Sequence, residues 1–102
     1  MKKMKMIRIQ TYGGWRKSAH WPKCSKFFAI RRIAKSYFSL THVPSGLSVG
    51  WSYSYKALRI LAGILAAQDV IDWKSANLAN GWQNYNKLPD VVKKWRDYVL
   101  SI

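Results

Sequence analysis

Apolar and polar positions alternate most cleanly between residues 37 and 53. Phe38, Leu40 and His42 alternate with Ser39, Thr41 and Val43, and Leu47, Val49, Trp51 and Tyr53 alternate with Ser48, Gly50, Ser52 and Ser54. A period of two sends one set of side chains to each face of a strand. Pro44-Ser45-Gly46 separates the two runs. Proline fixes φ and glycine accepts a left-handed conformation, so the segment predicts a β-hairpin over about 37–53, with Trp51 on its buried side. A looser alternation, Ile7 and Ile9 against Arg8 and Gln10, predicts a short strand over 4–11 that Gly13-Gly14 ends. From Trp15 to Lys26 no period is visible, and the segment reads as a basic aromatic loop.

Other segments carry a helical period. With Ser25 as cap, residues 26–36 place Phe27, Ala29, Ile30, Ile33 and Ala34 on one broad face and Arg31, Arg32 and Lys35 on the opposite one. A strand would put Arg31 on the side of Phe27 and Ile33, so a helix is predicted. After Ser52 or Ser54, another possible cap, Leu58, Leu61, Ala62 and Leu65 form a stripe widened by Ile60 and Ile64. The small residues Ala57, Ala62, Gly63, Ala66 and Ala67 suit close packing, and this helix is expected to be the most buried. A further helical segment covers 69–80 and stops near Asn80-Gly81. Pro89 and Asp90 then open a last helix with Val92, Trp95 and Val99 on its apolar face. The expected architecture is one α+β domain over 1–102, a small sheet centred on the 37–53 hairpin and packed by three to four helices.

Composition narrows the class. The chain is 49% hydrophobic, too apolar for a disordered basic tail, and its six Trp, six Tyr and three Phe are more rings than so short a chain easily buries. The longest apolar run, Ile60 to Ala67, is far short of a membrane span. Met1 to Met6 has the basic character of a signal-peptide start, but Arg8, Gln10 and Arg16 interrupt the apolar stretch that should follow. Cys24 is the single cysteine, which leaves no intrachain disulfide and fits a reducing compartment. A cytoplasmic location is expected.

Charge changes the picture most. The formal net charge is +14, there is no Glu, and the four acidic residues are Asp69, Asp72, Asp90 and Asp97. Thirteen of the eighteen basic residues precede position 61, where no acid occurs. Such a front half repels itself and attracts polyanions. Lys and Arg neutralise phosphates while aromatic rings stack on bases. The candidates are Lys2, Lys3, Lys5, Arg8, Arg16, Lys17, Lys23, Lys26, Arg31, Arg32, Lys35 and Lys56, with the rings of Tyr12, Trp15 and Trp21. Arg31, Arg32 and Lys35 are expected to act from one helical face, and Trp15 and Trp21 to be partly exposed.

Catalytic chemistry finds little purchase. One Cys and two His in separate elements do not make a zinc set. Asp69 and Asp72, three apart, read as a solvated helix face rather than an acid–base pair. Cys24 has His20 four residues away but no third orienting group. His42, just before the turn, reads as structural. Gly13-Gly14 is a turn, not a phosphate loop. No cofactor, metal or catalytic residue is expected, and the chain reads as a non-enzyme.

Two resemblances add to this. The hairpin with its Ser-rich second strand, followed by a helix starting near Lys56, resembles the second half of a double-stranded-RNA-binding domain. The likeness implies that Lys56 holds phosphate. Here Lys56 stands alone where that family has a basic cluster, and further helices follow where it has none. Leu40-Thr41-His42-Val43-Pro44-Ser45-Gly46-Leu47 resembles a turn of small phage proteins, and the short motif-free chain resembles phage anti-defence proteins, including anti-CRISPR proteins. That resemblance implies a stoichiometric inhibitor that covers a nuclease or ribonucleoprotein surface.

The expected function is therefore binding of nucleic acid or a nucleoprotein complex, possible forms being an anti-CRISPR inhibitor or a grip on an acidic protein surface. The main alternative is a protein-only interaction module with aromatic hot spots and basic steering residues. A peripheral membrane protein would need the 26–36 helix to leave its apolar face free, and no membrane partner is expected.

Overall fold

The computed structural model describes residues 4–11, 13–21, 25–68, 71–74 and 87–102. Five antiparallel strands form two sheets. β1 (Lys5–Thr11) pairs with β2 (Gly14–His20) as an isolated two-stranded ribbon. β3 (Phe28–Ala34), β4 (Tyr37–His42) and β5 (Leu47–Ser52) form a meander with β4 in the centre. Two helices follow among the described residues, α1 (Tyr55–Ala66) and α2 (Asp90–Leu100).

The α+β class holds, but the expected three to four helices do not: the segment over 26–36 is a strand. Both readings fit its local pattern, and β4 decides between them by offering a full ladder of partners from Phe28↔His42 to Ala34↔Tyr37. The three consecutive buried residues Phe28, Ala29 and Ile30 make sense only in a strand covered on both faces. Ile33 falls in a bulge between Arg32 and Ala34, which removes the mismatch that argued for a helix. Ser25 caps nothing there; its hydroxyl donates to Ala62 O of α1 (3.3 Å). The loop expected over 15–26 is also corrected, since Trp15 to His20 pair in register with Gln10 to Lys5. Of the predicted 69–80 helix, residues 71–74 form a bend and turn, and the remainder lies outside the described residues.

The 37–53 hairpin forms as predicted, with one shift of phase. Thr41 pairs with Ser48 and Leu40 with Gly50, so Val49 is the extra residue of a β-bulge. Beyond it Gly50 and Ser52 turn inward, and Trp51 is 45% exposed instead of buried. Gly50 is needed inside: a Cβ there would lie 2.5 Å from Leu100 Cδ2 of α2.

The sheet has two unlike faces. Phe28, Ile30 and Leu40 meet Leu58, Leu61, Ala62 and Leu65 of α1 and Val92 and Val99 of α2 in one apolar core. Ser54 caps α1 by accepting from Ala57 N (3.1 Å), and Trp73 Nε1 donates to Leu65 O near its end (2.7 Å). Ile60 and Gly63, expected to pack inward, face outward on α1. The opposite face carries Ala29, Arg31, Ser39, Thr41 and Ser48, in register across the strands. Against it lies the β1–β2 ribbon: His20 meets Thr41, and Arg31 Nη1 donates to Ser18 Oγ (3.2 Å).

Candidate nucleic-acid interface

The ribbon has an inner and an outer side. Cross-strand partners share a side, so Lys5/His20, Ile7/Ser18 and Ile9/Arg16 belong to one and Met6/Ala19, Arg8/Lys17 and Gln10/Trp15 to the other. The inner side buries Ile9 and His20, and the rest of β2 is largely open to solvent. β2 escaped detection because its inward residues, Ser18 and His20, are polar and leave no apolar period.

On the outer side Arg8 stands directly opposite Lys17. Its guanidinium lies 4.7 Å from the centroid of the Trp15 ring, which is 49% exposed. Met6, one pair along, is 63% exposed. Lys5 and Arg16, on the inner-side pairs, are exposed as well. Like charges in direct register cost stability, and the sequence holds no acid before Asp69 to relieve them.

The ribbon is anchored at the 43–46 turn. Gln10 N donates to Gly46 O and Gln10 Nε2 to Ser45 O, both at 2.7 Å. Gly46 has φ +70, and a Cβ there would meet Trp15 Cζ3 at 2.5 Å and Arg8 O at 3.1 Å. The turn residues of the 40–47 segment therefore have a structural cause: glycine permits both the turn and the ribbon's approach.

The other predicted residues scatter. Arg31 and Arg32 point to opposite faces of β3, and Lys35 lies in the β3–β4 turn, so they form no common helical face. Arg32, Lys35 and Lys56 are exposed, Lys56 in the first turn of α1, on the far layer from the ribbon. Trp21 is half-buried and packs against Tyr55 (5.0 Å) and Phe38 (6.0 Å). Lys26 lies 5.3 Å over the ring of Phe27. Lys2, Lys3, Tyr12, Lys23 and Cys24 lie outside the described residues.

No protein-family model matches the chain, and no curated protein or solved structure does either. Both histidines are structural. His42 Nε2 donates to Trp73 O (2.6 Å), and Nδ1 accepts from Ser45 Oγ (2.7 Å). His20 Nδ1 donates to Ser18 O (2.9 Å), and Nε2 accepts from Thr41 Oγ1 (2.9 Å). Each ring is thus satisfied as the neutral imidazole, in opposite tautomers. Burial lowers both pKa values below the usual 6.5, against the raising effect of the accepting carbonyls; at His20 the nearby Arg31 lowers it further. Among the described residues no three His, Cys, Asp or Glu side chains converge on a metal position, and no helix is long and apolar enough to cross a membrane.

One apolar surface was not anticipated. Val91, Trp95 and Tyr98 of α2 are 63%, 42% and 57% exposed and, with Lys94, line a shallow cavity of about 350 Å³. Trp95 faces outward and does not join Val92 and Val99 on the apolar face expected of it; its spacing from Val91 and Tyr98 marks a second, outward stripe.

Proposed function

We propose that this chain binds nucleic acid, or the nucleic-acid component of a nucleoprotein complex, through the outer side of the β1–β2 ribbon and without catalysis. The observation that carries the reading is the direct register of Arg8 and Lys17 beside the half-exposed Trp15, with no acidic neighbour in that part of the sequence. Two phosphate-neutralising groups and a stacking ring share one surface. Lys5 and Arg16, exposed on the alternate pairs of the same ribbon, add to its positive charge. A cytoplasmic site of action accords with the lone thiol. The finer form, a phage inhibitor of a host defence nucleoprotein, draws its support from the short motif-free chain more than from the 40–47 segment, whose residues serve the fold.

Fluorescence anisotropy with a labelled oligonucleotide tests the reading. With about four phosphates neutralised, by Arg8, Lys17, Lys5 and Arg16, duplex affinity falls by roughly a hundredfold between about 50 and 200 mM salt. Absence of binding at the lower salt, or a flat salt profile, overturns it. A protein partner is the second reading, favoured by the exposed stripe of Val91, Trp95 and Tyr98. In that case Trp95→Ala weakens capture of the partner and Arg8→Gln/Lys17→Gln changes mainly the association rate.

A further inference from the structure

A second basic site adjoins the same 43–46 turn. Lys26, Phe27, Val43, Pro44 and Lys74 line an open cleft of about 490 Å³. Its volume falls within the roughly 300–1,000 Å³ of small-ligand clefts. Among the described residues the lining is apolar at Phe27, Val43 and Pro44 and basic at Lys26 and Lys74, and Lys26 Nζ lies 5.3 Å over the Phe27 ring. The lysines come from distant parts of the chain and converge because tertiary bonds hold their backbones. Val43 N donates to Phe27 O (2.9 Å), which fixes the Lys26 side. His42 Nε2 donates to Trp73 O (2.6 Å), which fixes the Lys74 side. Asp72, the acid nearest to Lys74 in sequence, accepts from Lys74 N (3.3 Å) and does not line the cleft.

We infer that this cleft is a nucleotide subsite, taking one unstacked nucleotide of a single strand whose neighbouring phosphates run over the ribbon. The inference rests on the ribbon's reading as a nucleic-acid surface and names the form of the partner. Apolar side chains beside two lysines match a base or sugar joined to a phosphate; the paired, stacked bases of a duplex have no free unit to offer. Continuity supports the single strand over a free nucleotide. The turn that supplies Val43 and Pro44 to the cleft contacts Gln10 and Trp15 of the ribbon two residues later, through Ser45 and Gly46. One strand can follow Arg8, Trp15 and Lys17, cross the turn and enter the cleft.

The test compares a labelled oligothymidylate with a hairpin duplex of equal charge, using the full chain and its Lys26→Gln/Lys74→Gln variant. The expected result is a loss of about five- to tenfold on the single strand, a salt slope shallower by about one, and duplex binding within about twofold of the unaltered protein. Lys26→Arg/Lys74→Arg keeps single-strand affinity, which separates lost charge from lost fold. Thymidine monophosphate in large excess leaves the strand bound; displacement by it instead assigns the cleft to a free nucleotide and overturns the single-strand inference. Equal losses on both nucleic acids, or no loss on either, overturn the subsite while leaving the ribbon's role intact. Failure of the unaltered protein to bind either nucleic acid overturns both.

Discussion

Two of the antiparallel hairpins, β1–β2 and β4–β5, are of similar length, meet at Gly46 and do opposite work. β4–β5 is built into the core: Leu40 is fully buried, Val49 nearly so, and the turn is braced by His42 and Ser45. β1–β2 buries little beyond Ile9 and His20 and gives its other side to Arg8, Trp15 and Lys17. A hairpin's local geometry is thus indifferent to role. What separates the two is whether both faces are covered. The covered one spends its side chains on packing, and the half-covered one is free to carry unneutralised charge.

Core truncation breaks the comparison most strongly. Leu40→Ala costs about 2–5 kcal/mol, and each kcal/mol lowers Tm by about 4–8 °C in a domain of this size. Ile7→Ala, at a half-buried position of β1, costs about 1 kcal/mol; calorimetry showing equal losses at the two sites removes the distinction. At the junction, Gly46→Ala introduces both a disfavoured positive φ and a clash with Trp15 and the Arg8 carbonyl. It costs about 1–3 kcal/mol, and raised hydrogen exchange in β1–β2 alone reports undocking of the ribbon.

Acidification acts next, on the buried rings at either side of that junction. Their folded pKa values lie below 6.5 because burial disfavours the charged form. The unfolded chain therefore takes up protons first as pH falls, so stability is complete above about 6.5 and declines below it toward the folded values. Tm measured between pH 7.5 and 5 follows this course, and His20→Gln/His42→Gln flattens it. A pH-independent Tm in the unaltered protein contradicts the buried neutral rings.

The ribbon's own residues give the smallest stability effects and the clearest functional ones. Trp15→Ala loses a stacking ring and a cation–π contact, weakening oligonucleotide binding by about five- to a hundredfold at a stability cost of about 1 kcal/mol or less. Arg8→Gln/Lys17→Gln weakens binding and flattens its salt dependence. Relief of the like-charge pair, about 0.2–1 kcal/mol, offsets loss of the Arg8–Trp15 contact of similar size, so stability changes by less than about 1 kcal/mol. A clear loss of Tm in that variant shows the pair to be structural.

Legibility along the chain follows the same division. α1 and the β4–β5 turn are readable because apolar period, Ser54 and Pro44-Ser45-Gly46 all point one way. β2 is not readable, since its inward residues are Ser18 and His20. Trp51 faces solvent, against the strict alternation, because one bulged residue, Val49, reverses the phase of everything after it. The interface was legible as composition only. That Arg8 faces Lys17, and that Arg31 and Arg32 part company, depends on register.

Local physics in the sequence alone determined the charge asymmetry, the 37–53 hairpin with its turn, and the amphipathic courses of α1 and α2. Each rests on neighbours a few residues apart, where period, cap and turn chemistry act. Tertiary structure decided that 28–34 is a strand, that Lys26 and Lys74 share a cleft, and that one hairpin is core and the other surface. The 28–34 segment satisfies two local periods nearly equally, and only the ladder to β4 and the covering of both its faces, contacts distant in sequence, select one.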